Sequence, residues 1–213
     1  MNKVLYWFVK FSALPADWFY FKRKVYYYSK DQTRVIKGGA LIVSNHRAIK
    51  DYPLYMYTFK RAVIRPVTAD ILYRRSVFLA RFLKKMGAIR VDRNSYDFSF
   101  VDNAEKVINK GGKVLIFPES RIPVLKPDEP YDMIDFKPSF VQIALNSNCP
   151  VIPCYTNGAY GKGRRAKVVI GERLFLRDLY DESKSEKENI EFLSEYVKSY
   201  IKMLGEKLNE KEE

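Results

Sequence analysis

The single histidine of the chain, His46, lies directly after an apolar run in the stretch LIVSNHRAIKD, residues 41–51. An imidazole titrates near neutrality, so it can accept a proton at physiological pH. Asp51 follows five residues later, and a carboxylate bound to the far ring nitrogen would orient the imidazole and stabilise its protonated form. The pair predicts a general base acting on a hydroxyl, although a lone histidine also fits a structural hydrogen-bonding role.

The sequence offers no strong candidate for a covalent nucleophile, because no Gly-x-Ser-x-Gly elbow accompanies this pair. A base without an enzyme nucleophile would act on the substrate itself. The acceptor hydroxyl would then attack an activated acyl group directly.

Charged side chains also follow two other apolar runs. The segment FPESR (117–121) delivers Glu119 and Arg121 to the end of a predicted strand, and VDR (91–93) does the same for Arg93. The planar guanidinium of arginine matches the geometry of a phosphate, and a nearby carboxylate can orient it or bind a hydroxyl. Taken alone, each of these residues also fits a surface ion pair or a solvated cation.

Apolar runs alternate with helical patterns beyond residue 35, which predicts a single α/β domain with a central, mostly parallel sheet flanked by helices. Strands are predicted over 39–45, 62–68, 87–93, 113–120, 150–155 and 166–171, and helices over 70–86, 99–112, 139–148 and the C-terminal segment from 189. The segments SNHRAIKD, VDRNS, FPESR and CYTNG each follow a predicted strand. In a parallel sheet these four loops would converge at the carboxyl ends of the strands, where ligands usually bind.

The composition indicates a polyanionic partner. The 213 residues carry a formal net charge of +13, and 15% of them are aromatic. Nucleic acid, an anionic bilayer and phosphorylated substrates all fit this charge. With one histidine and two cysteines, a transition-metal site is not expected.

The N-terminal residues 1–34 combine aromatic side chains with lysine and arginine, as in a segment that lies at a membrane interface. No window supplies the roughly 20 apolar residues of a spanning helix, and the apolar centre and cleavage site of a signal peptide are missing. The segment is therefore predicted to be an amphipathic, membrane-associated helical region. A helical hairpin packed on the domain's own core is the alternative, and the two are compatible.

Four segments together resemble the conserved blocks of the glycerolipid acyltransferases, the PlsC-like lysophosphatidic acid acyltransferase family. NHRAIKD resembles the N-H-x4-D block, and GAIRVDR, FPESR and VIPCYTNG resemble the second, third and fourth blocks in the same order. The similarity extends over residues 38–158. It implies an acyltransferase domain over residues 35–213.

The resemblance also implies roles for individual residues. His46 would be the general base and Asp51 its orienting partner. Substrate-binding roles fall to Asn45, Arg93, Glu119, Ser120 and Arg121, with the arginines and Glu119 holding a glycerol phosphate and Asn45 shaping the histidine loop.

The expected reaction moves a fatty acyl group from acyl-CoA or an acyl carrier protein, as co-substrate, to a lysophospholipid without any cofactor. The expected acceptor is 1-acyl-sn-glycerol 3-phosphate, on the cytoplasmic face of the cell membrane, with the protein peripheral or monotopic. The third block departs from the family's usual F-P-E-G-T-R, because Ser120 replaces glycine and Arg121 comes one position early.

This departure keeps other acceptors open, such as lysophosphatidylethanolamine or a lyso-aminolipid. A thioesterase, in which water replaces the acceptor, and a basic nucleic-acid-binding protein are alternatives from outside the class.

Overall fold

The computed structural model of the protein describes residues 1–29, 35–92, 98–123 and 132–210. Within these ranges the chain forms one seven-stranded sheet. The strands are β1 (Lys24–Tyr27), β2 (Ala40–Ser44), β3 (Ile64–Ala69), β4 (Ile89–Val91), β5 (Lys113–Ile116), β6 (Val151–Thr156) and β7 (Lys167–Ile170). Their order across the sheet is β1-β7-β6-β2-β5-β3-β4.

Helices cover both faces of this sheet. They are α1 (Lys3–Ser12), α2 (Leu14–Ala16), α3 (Asp51–Thr58), α4 (Asp70–Arg75), α5 (Val77–Met86), α6 (Ser99–Asn109), α7 (Ser139–Ser147) and α8 (Glu186–Glu210). A π-helical turn, Asp17–Phe21, follows α2, and a 3-10 turn, Leu176–Leu179, precedes α8.

The centre of the sheet is parallel, as the sequence predicts. Strand β2 pairs in parallel with both β5 and β6, and all five of its residues are buried, as expected for a strand covered on both faces. Ile42 lies opposite Leu115 on one side and Ile152 on the other. The β6–β7 pair is antiparallel. The single α/β domain with a mostly parallel sheet is therefore confirmed.

Two hydrophobic clusters, one on each face, hold the helices to the sheet. On one face α6, α7 and α8 contribute Phe100, Phe140 and Leu193. On the other face α1 and α3 contribute Tyr6 and Tyr55. The site at the carboxyl edge of the sheet thus rests on elements that are packed from both sides.

The structure departs from the predicted elements at several points: α3 was not predicted, β5 ends at Ile116 rather than at residue 120, and two further differences concern α4–α5 and β1. The helix predicted over 70–86 is interrupted at Ser76, whose extended backbone (φ −162°, ψ 139°) separates α4 from α5. Strand β1 lies inside residues 1–34, where the sequence predicted only helix, and it pairs with β7 at the sheet edge. The predicted boundary between a membrane-associated segment and the acyltransferase domain at residue 35 stays a prediction.

Helix α1 is fixed to the domain by two buried polar side chains. The Lys10 Nζ atom donates to the carbonyl oxygens of Phe59 and Ala62, each at 3.0 Å, and the Tyr6 hydroxyl accepts the Ile64 N–H at 3.1 Å. Burial, together with the nearby Arg23, lowers the pKa of Lys10 to about 8. Among the described residues, none of the helices has the length and hydropathy needed to cross a bilayer.

We expect Lys10→Met to weaken the attachment of α1, because two buried carbonyl oxygens lose their donor. An unsatisfied buried acceptor costs about 1–3 kcal/mol. The lysine binds its proton more weakly in the folded protein than in the unfolded chain, so between pH 8 and 10 the unfolded chain carries more protons. The free energy of unfolding of the wild type should therefore rise with pH in this window, and the variant should lose this rise.

Urea unfolding at pH 7.5 and 9.5 measures both effects, and Lys3→Met, at an exposed position of the same helix, is the control. A wild type and a Lys10→Met variant with the same pH dependence would contradict the burial of a charged Lys10.

Candidate active site

The loop that carries His46 begins where β2 ends, and the side chain of Asn45 fixes it to the neighbouring strand. The Asn45 amide donates from Nδ2 to the Thr156 carbonyl at 2.9 Å, and its Oδ1 accepts the Thr156 N–H at 2.8 Å. Asn45 is fully buried. This reciprocal pair ties the histidine loop after β2 to the end of β6. The predicted role of Asn45 in shaping the loop for substrate stays a prediction.

Glu119 fixes the same loop from the other side. It follows β5, and its buried carboxylate accepts the main-chain N–H of His46 through Oε1 at 2.6 Å. The second oxygen, Oε2, accepts the main-chain N–H of Ile134 at 3.1 Å. The geometry therefore gives Glu119 a positioning role for the histidine loop, and its predicted contact with a glycerol phosphate stays a prediction.

Asp51 is the first residue of α3 and lies at the centre of a ring of donors. Its Oδ2 atom is 2.8 Å from Nδ1 of His46 and accepts the main-chain N–H groups of Arg47 at 2.7 Å and Ala48 at 2.9 Å. The side chain is fully buried. Because the chain between the two residues folds into a tight turn, the five-residue spacing brings the carboxylate to the imidazole, as expected for an orienting pair.

Tyr160 supplies the remaining donor to this carboxylate. Its hydroxyl donates to Oδ1 of Asp51 and lies 3.2 Å from Oγ1 of Thr156. Burial, and then the Asp51 charge, raises the pKa of the Tyr160 hydroxyl well above its usual value. The phenol therefore keeps its proton and acts as a permanent donor that holds the carboxylate in place.

The orientation of the His46 ring leaves one nitrogen for a substrate. The ring stacks on Phe117, with centroids 4.4 Å apart and planes at 14°. Nδ1 faces Asp51, and Nε2 has no hydrogen-bond partner in the described part of the chain. An imidazole held in this way can accept a proton at Nε2 while the carboxylate stabilises the positive charge that forms.

A cavity of about 420 Å³ opens beside this ring. We call it the apolar pocket. It runs between the carboxyl ends of β3, β4 and β5 and the helix pair α4–α5, and its polar members include two cations, Arg75 and Lys137. The apolar part of the lining includes Pro66, Val67, Leu72, Leu79, Leu83, Val91, Phe100 and Ile116. A pocket of this size and character suits a small, mainly apolar ligand with a polar end.

The structure brings His46, Asp51, Asn45, Glu119 and Ser120 together at this edge. Ser120 lines the apolar pocket and has a left-handed backbone, with φ of 61°. Glycine adopts this conformation without strain, so the F-P-E-G-T-R pattern, which has glycine at this position, fits the backbone found here.

Two arginines are predicted to bind phosphate, and the structure describes one of them, Arg121. The side chain of Arg121 is exposed and is not part of the pocket lining. Arg93 lies outside the described residues. Their phosphate contacts stay predictions.

Sequence reasoning missed Tyr160, Arg75 and Lys137. Tyr160 is 109 positions from Asp51, and no local pattern links the two residues. Arg75 lies in the helix predicted over 70–86, and Lys137 lies just before the helix predicted over 139–148, with no pattern that links either residue to His46. A tyrosine shortly after the fourth block, at the same sheet edge as His46, was the available signal.

The family comparison agrees with the site. A family model described as Acyltransferase matches residues 20–157, more than half of the chain. The protein therefore belongs to the acyltransferase family, which confirms the resemblance found in the sequence. A search of the curated proteins finds no match.

One solved structure has a similar fold. The crystal structure of the 1-acyl-sn-glycerophosphate (LPA) acyltransferase PlsC from Thermotoga maritima matches with a TM-score of 0.64 and 20% sequence identity. The match covers 95% of this chain and 80% of that chain. At this identity the likeness is one of fold.

Tyr160→Phe should lower kcat for acyl transfer about tenfold with KM within twofold, because Asp51 loses a donor and no longer holds the imidazole rigidly. The buried Oδ1 atom also loses its partner, which should cost about 1–3 kcal/mol of unfolding free energy. Steady-state kinetics and urea unfolding test these outcomes.

Tyr73→Phe is the matched control, because its hydroxyl donates to the main-chain carbonyl of Ala88, away from the pocket lining. It should leave kcat unchanged. If the Tyr160→Phe enzyme has the wild-type kcat, this hydroxyl has no positioning role.

Proposed function

We propose that the protein transfers a fatty acyl group from a thioester to the free hydroxyl of 1-acyl-sn-glycerol 3-phosphate, giving phosphatidic acid. The donor is acyl-CoA or an acyl carrier protein, which acts as co-substrate, and no cofactor is needed. The observation that carries this proposal is the His46–Asp51 pair beside the apolar pocket, with Nε2 of His46 left without a hydrogen-bond partner among the described residues.

The chemistry follows from the pair. Nε2 of His46 takes the proton of the acceptor hydroxyl as the oxygen attacks the thioester carbonyl carbon. Asp51 stabilises the imidazolium, and the tetrahedral intermediate collapses by breaking the carbon–sulfur bond. The leaving thiolate takes the proton from the imidazolium, so the base is restored and no acyl-enzyme forms.

The pocket and its cations supply binding. The apolar lining accommodates an acyl chain with its carbonyl end near His46. The phosphate of the acceptor is assigned to Arg75 and Lys137, which line the pocket, and to Arg93 and Arg121, which come shortly after β4 and β5 in the sequence. Holding both substrates in reacting geometry supplies much of the rate enhancement in such a mechanism.

Another lysolipid is the second candidate acceptor. Ser120 stands at a left-handed position, and Arg121 is exposed rather than in the pocket lining. Both features change the part of the site that would meet the acceptor headgroup. Lysophosphatidylethanolamine and lyso-aminolipids therefore belong in the acceptor panel, each assayed with both thioester donors.

His46→Ala and Asp51→Asn should each lower kcat, because the first removes the base and the second removes the charge that stabilises the imidazolium. General-base catalysis contributes about 10²–10⁴-fold, and a loss in this range is expected for His46→Ala. Acylated lipid and free fatty acid are quantified by mass spectrometry after incubation with thioester and lysolipid.

Asp178→Asn, at an exposed acid of the 3-10 turn, is the control and should keep wild-type turnover. Thermal unfolding of each variant separates loss of chemistry from loss of fold. Folded His46→Ala and Asp51→Asn proteins with full turnover would refute the mechanism, and free acid as the main wild-type product would indicate a thioesterase.

We also propose that the protein docks on the cytoplasmic face of the membrane as a peripheral or monotopic enzyme. Large apolar side chains are exposed on the N-terminal helices, among them Phe8 (67% exposed) and Trp18 (80%). Phe78 of α5 is 82% exposed, and α5 packs against α1. Neighbouring exposed aromatic side chains of this kind typically mark an interaction surface.

Phe8→Ser combined with Trp18→Ser should weaken binding to phosphatidylcholine vesicles by about tenfold for each ring removed, because less apolar surface enters the bilayer. Vesicle co-sedimentation measures the partition coefficient. Phe175→Ser combined with Phe192→Ser, at two exposed aromatic positions beside or within α8, should have little effect. Equal losses in the two double variants would contradict the assignment of the membrane surface to the N-terminal helices.

A further inference from the structure

A large cavity lies at the opposite edge of the sheet from His46. It has a volume of about 1040 Å³ and borders the amino ends of β3, β4 and β5 and one side of α6. We call it the basic groove. None of the roles assigned above involves it.

Positive charge dominates the lining of the basic groove. Seven of its cationic side chains have no ion-pair partner among the described residues: Lys3, Arg61, Arg65, Lys84, Lys106, Lys110 and Lys113. The described lining includes one carboxylate, Asp92, which lies 3.8 Å from Arg74. A concave surface of one sign concentrates oppositely charged ligands.

Arg65 shows that the groove is more than a solvated basic face. The guanidinium is partly buried, and its Nε atom is buried without a hydrogen-bond partner. Burial lowers the pKa of Arg65. Gly87 makes room for this side chain, since a Cβ there would lie 2.9 Å from Nε. A buried donor without an acceptor is costly, and the guanidinium that carries it belongs to the lining of the groove.

Lys113, at the start of β5, has a related environment. Its ammonium group donates to the Gly111 carbonyl at 2.9 Å, and burial lowers its pKa. A nearby anion would stabilise the charged forms of both Lys113 and Arg65. The groove therefore holds two partly desolvated cations surrounded by exposed ones.

We propose that the basic groove is a second phosphate-binding site, distinct from the substrate site, and that it takes the headgroup phosphate of an anionic phospholipid. This step rests on the membrane docking proposed above. A lipid is favoured because the helices that line the basic groove also carry exposed apolar side chains. Helix α1 contributes Lys3 to the groove and also presents the exposed Val4 and Phe8. Lys84 belongs to α5, which also presents Phe78.

Such an arrangement would set the depth and orientation of the enzyme. With the aromatic side chains in the bilayer, the cations of the groove would lie at headgroup level. Anionic lipid in the groove would then hold α1 and α5 against the membrane. The opening of the apolar pocket beside α4 and α5 would stay near the lipid from which substrates come.

The test compares two triple variants that each lower the net charge of +13 by three. The groove variant is Arg61→Gln, Lys106→Gln and Lys110→Gln, all at exposed positions. The control variant is Arg177→Gln, Lys187→Gln and Lys202→Gln, also exposed, on the 3-10 turn and α8. Both are mixed with vesicles of phosphatidylcholine alone or with an equal part of phosphatidylglycerol, which is neither substrate nor product of the proposed reaction.

The groove variant should lose about 100-fold in partition to phosphatidylglycerol vesicles, at roughly fivefold for each cation. The control variant should lose less than threefold, and both should bind pure phosphatidylcholine like the wild type. Arg65→Lys, which keeps the charge but removes the planar fork, should lose several-fold. Equal losses of partition in the two triple variants, or no loss in the groove variant, would refute the basic groove as a phosphate-binding site.

Two further probes identify the source of the phosphate. In the first, the groove variant loses inorganic pyrophosphate binding but keeps its partition to phosphatidylglycerol vesicles. That result would overturn the lipid assignment in favour of a soluble phosphate. Groove-dependent binding of single-stranded RNA, without a lipid effect, would overturn it in favour of nucleic acid.

Acyl transfer in detergent micelles is measured in parallel to separate the two proposals. If the groove variant has full turnover in micelles and normal vesicle binding, the lipid-binding role of the groove is refuted and the acyl-transfer proposal stands. A wild type without turnover refutes the acyl-transfer proposal, whatever the vesicles show.

Discussion

The buried carboxylate of Asp51 is the constraint on which the arrangement of the site depends. A charge without solvent must be matched by donors, and here they come from the His46 ring, two successive main-chain N–H groups and the Tyr160 hydroxyl. Satisfying this one group bends the loop after β2, starts α3, and ties the segment after β6 to both. The imidazole is oriented as a result of this network and needs no further support than Glu119 and Phe117 provide.

The cavities at the two edges of the sheet differ in how many cations line them. At the carboxyl edge, cations are few and lie beside an apolar cavity, as a site for an amphiphile requires. At the amino edge, cations line a larger cavity with little apolar surface of its own. The described lining of the basic groove therefore holds more cations than the lining of the apolar pocket. This difference would let the proposed groove attract a polyanionic surface without adding fixed charge beside the imidazole.

Patterns local in sequence predicted much of the fold and half of the site. The alternation of strands and helices, the burial of β2, and the His46–Asp51 pair all follow from residues within one element or one turn. Tyr160 and the basic groove depend on segments far apart in the chain, and no short-range pattern encodes them. Strand β1 was not predicted, because its tyrosines continue an aromatic stretch that is typical of an interfacial helix. The break at Ser76 has no glycine or proline to mark it.

The parallel pairing of β1 with β7 has a consequence for biosynthesis. Residues 24–27 pair with residues 167–170, so this edge of the sheet cannot close until most of the polypeptide has left the ribosome. At translation rates of about 5–20 residues per second, the wait lasts roughly ten seconds. Throughout that time β1 lacks its partner strand, so the pairing that places β1 in the sheet forms only late in synthesis.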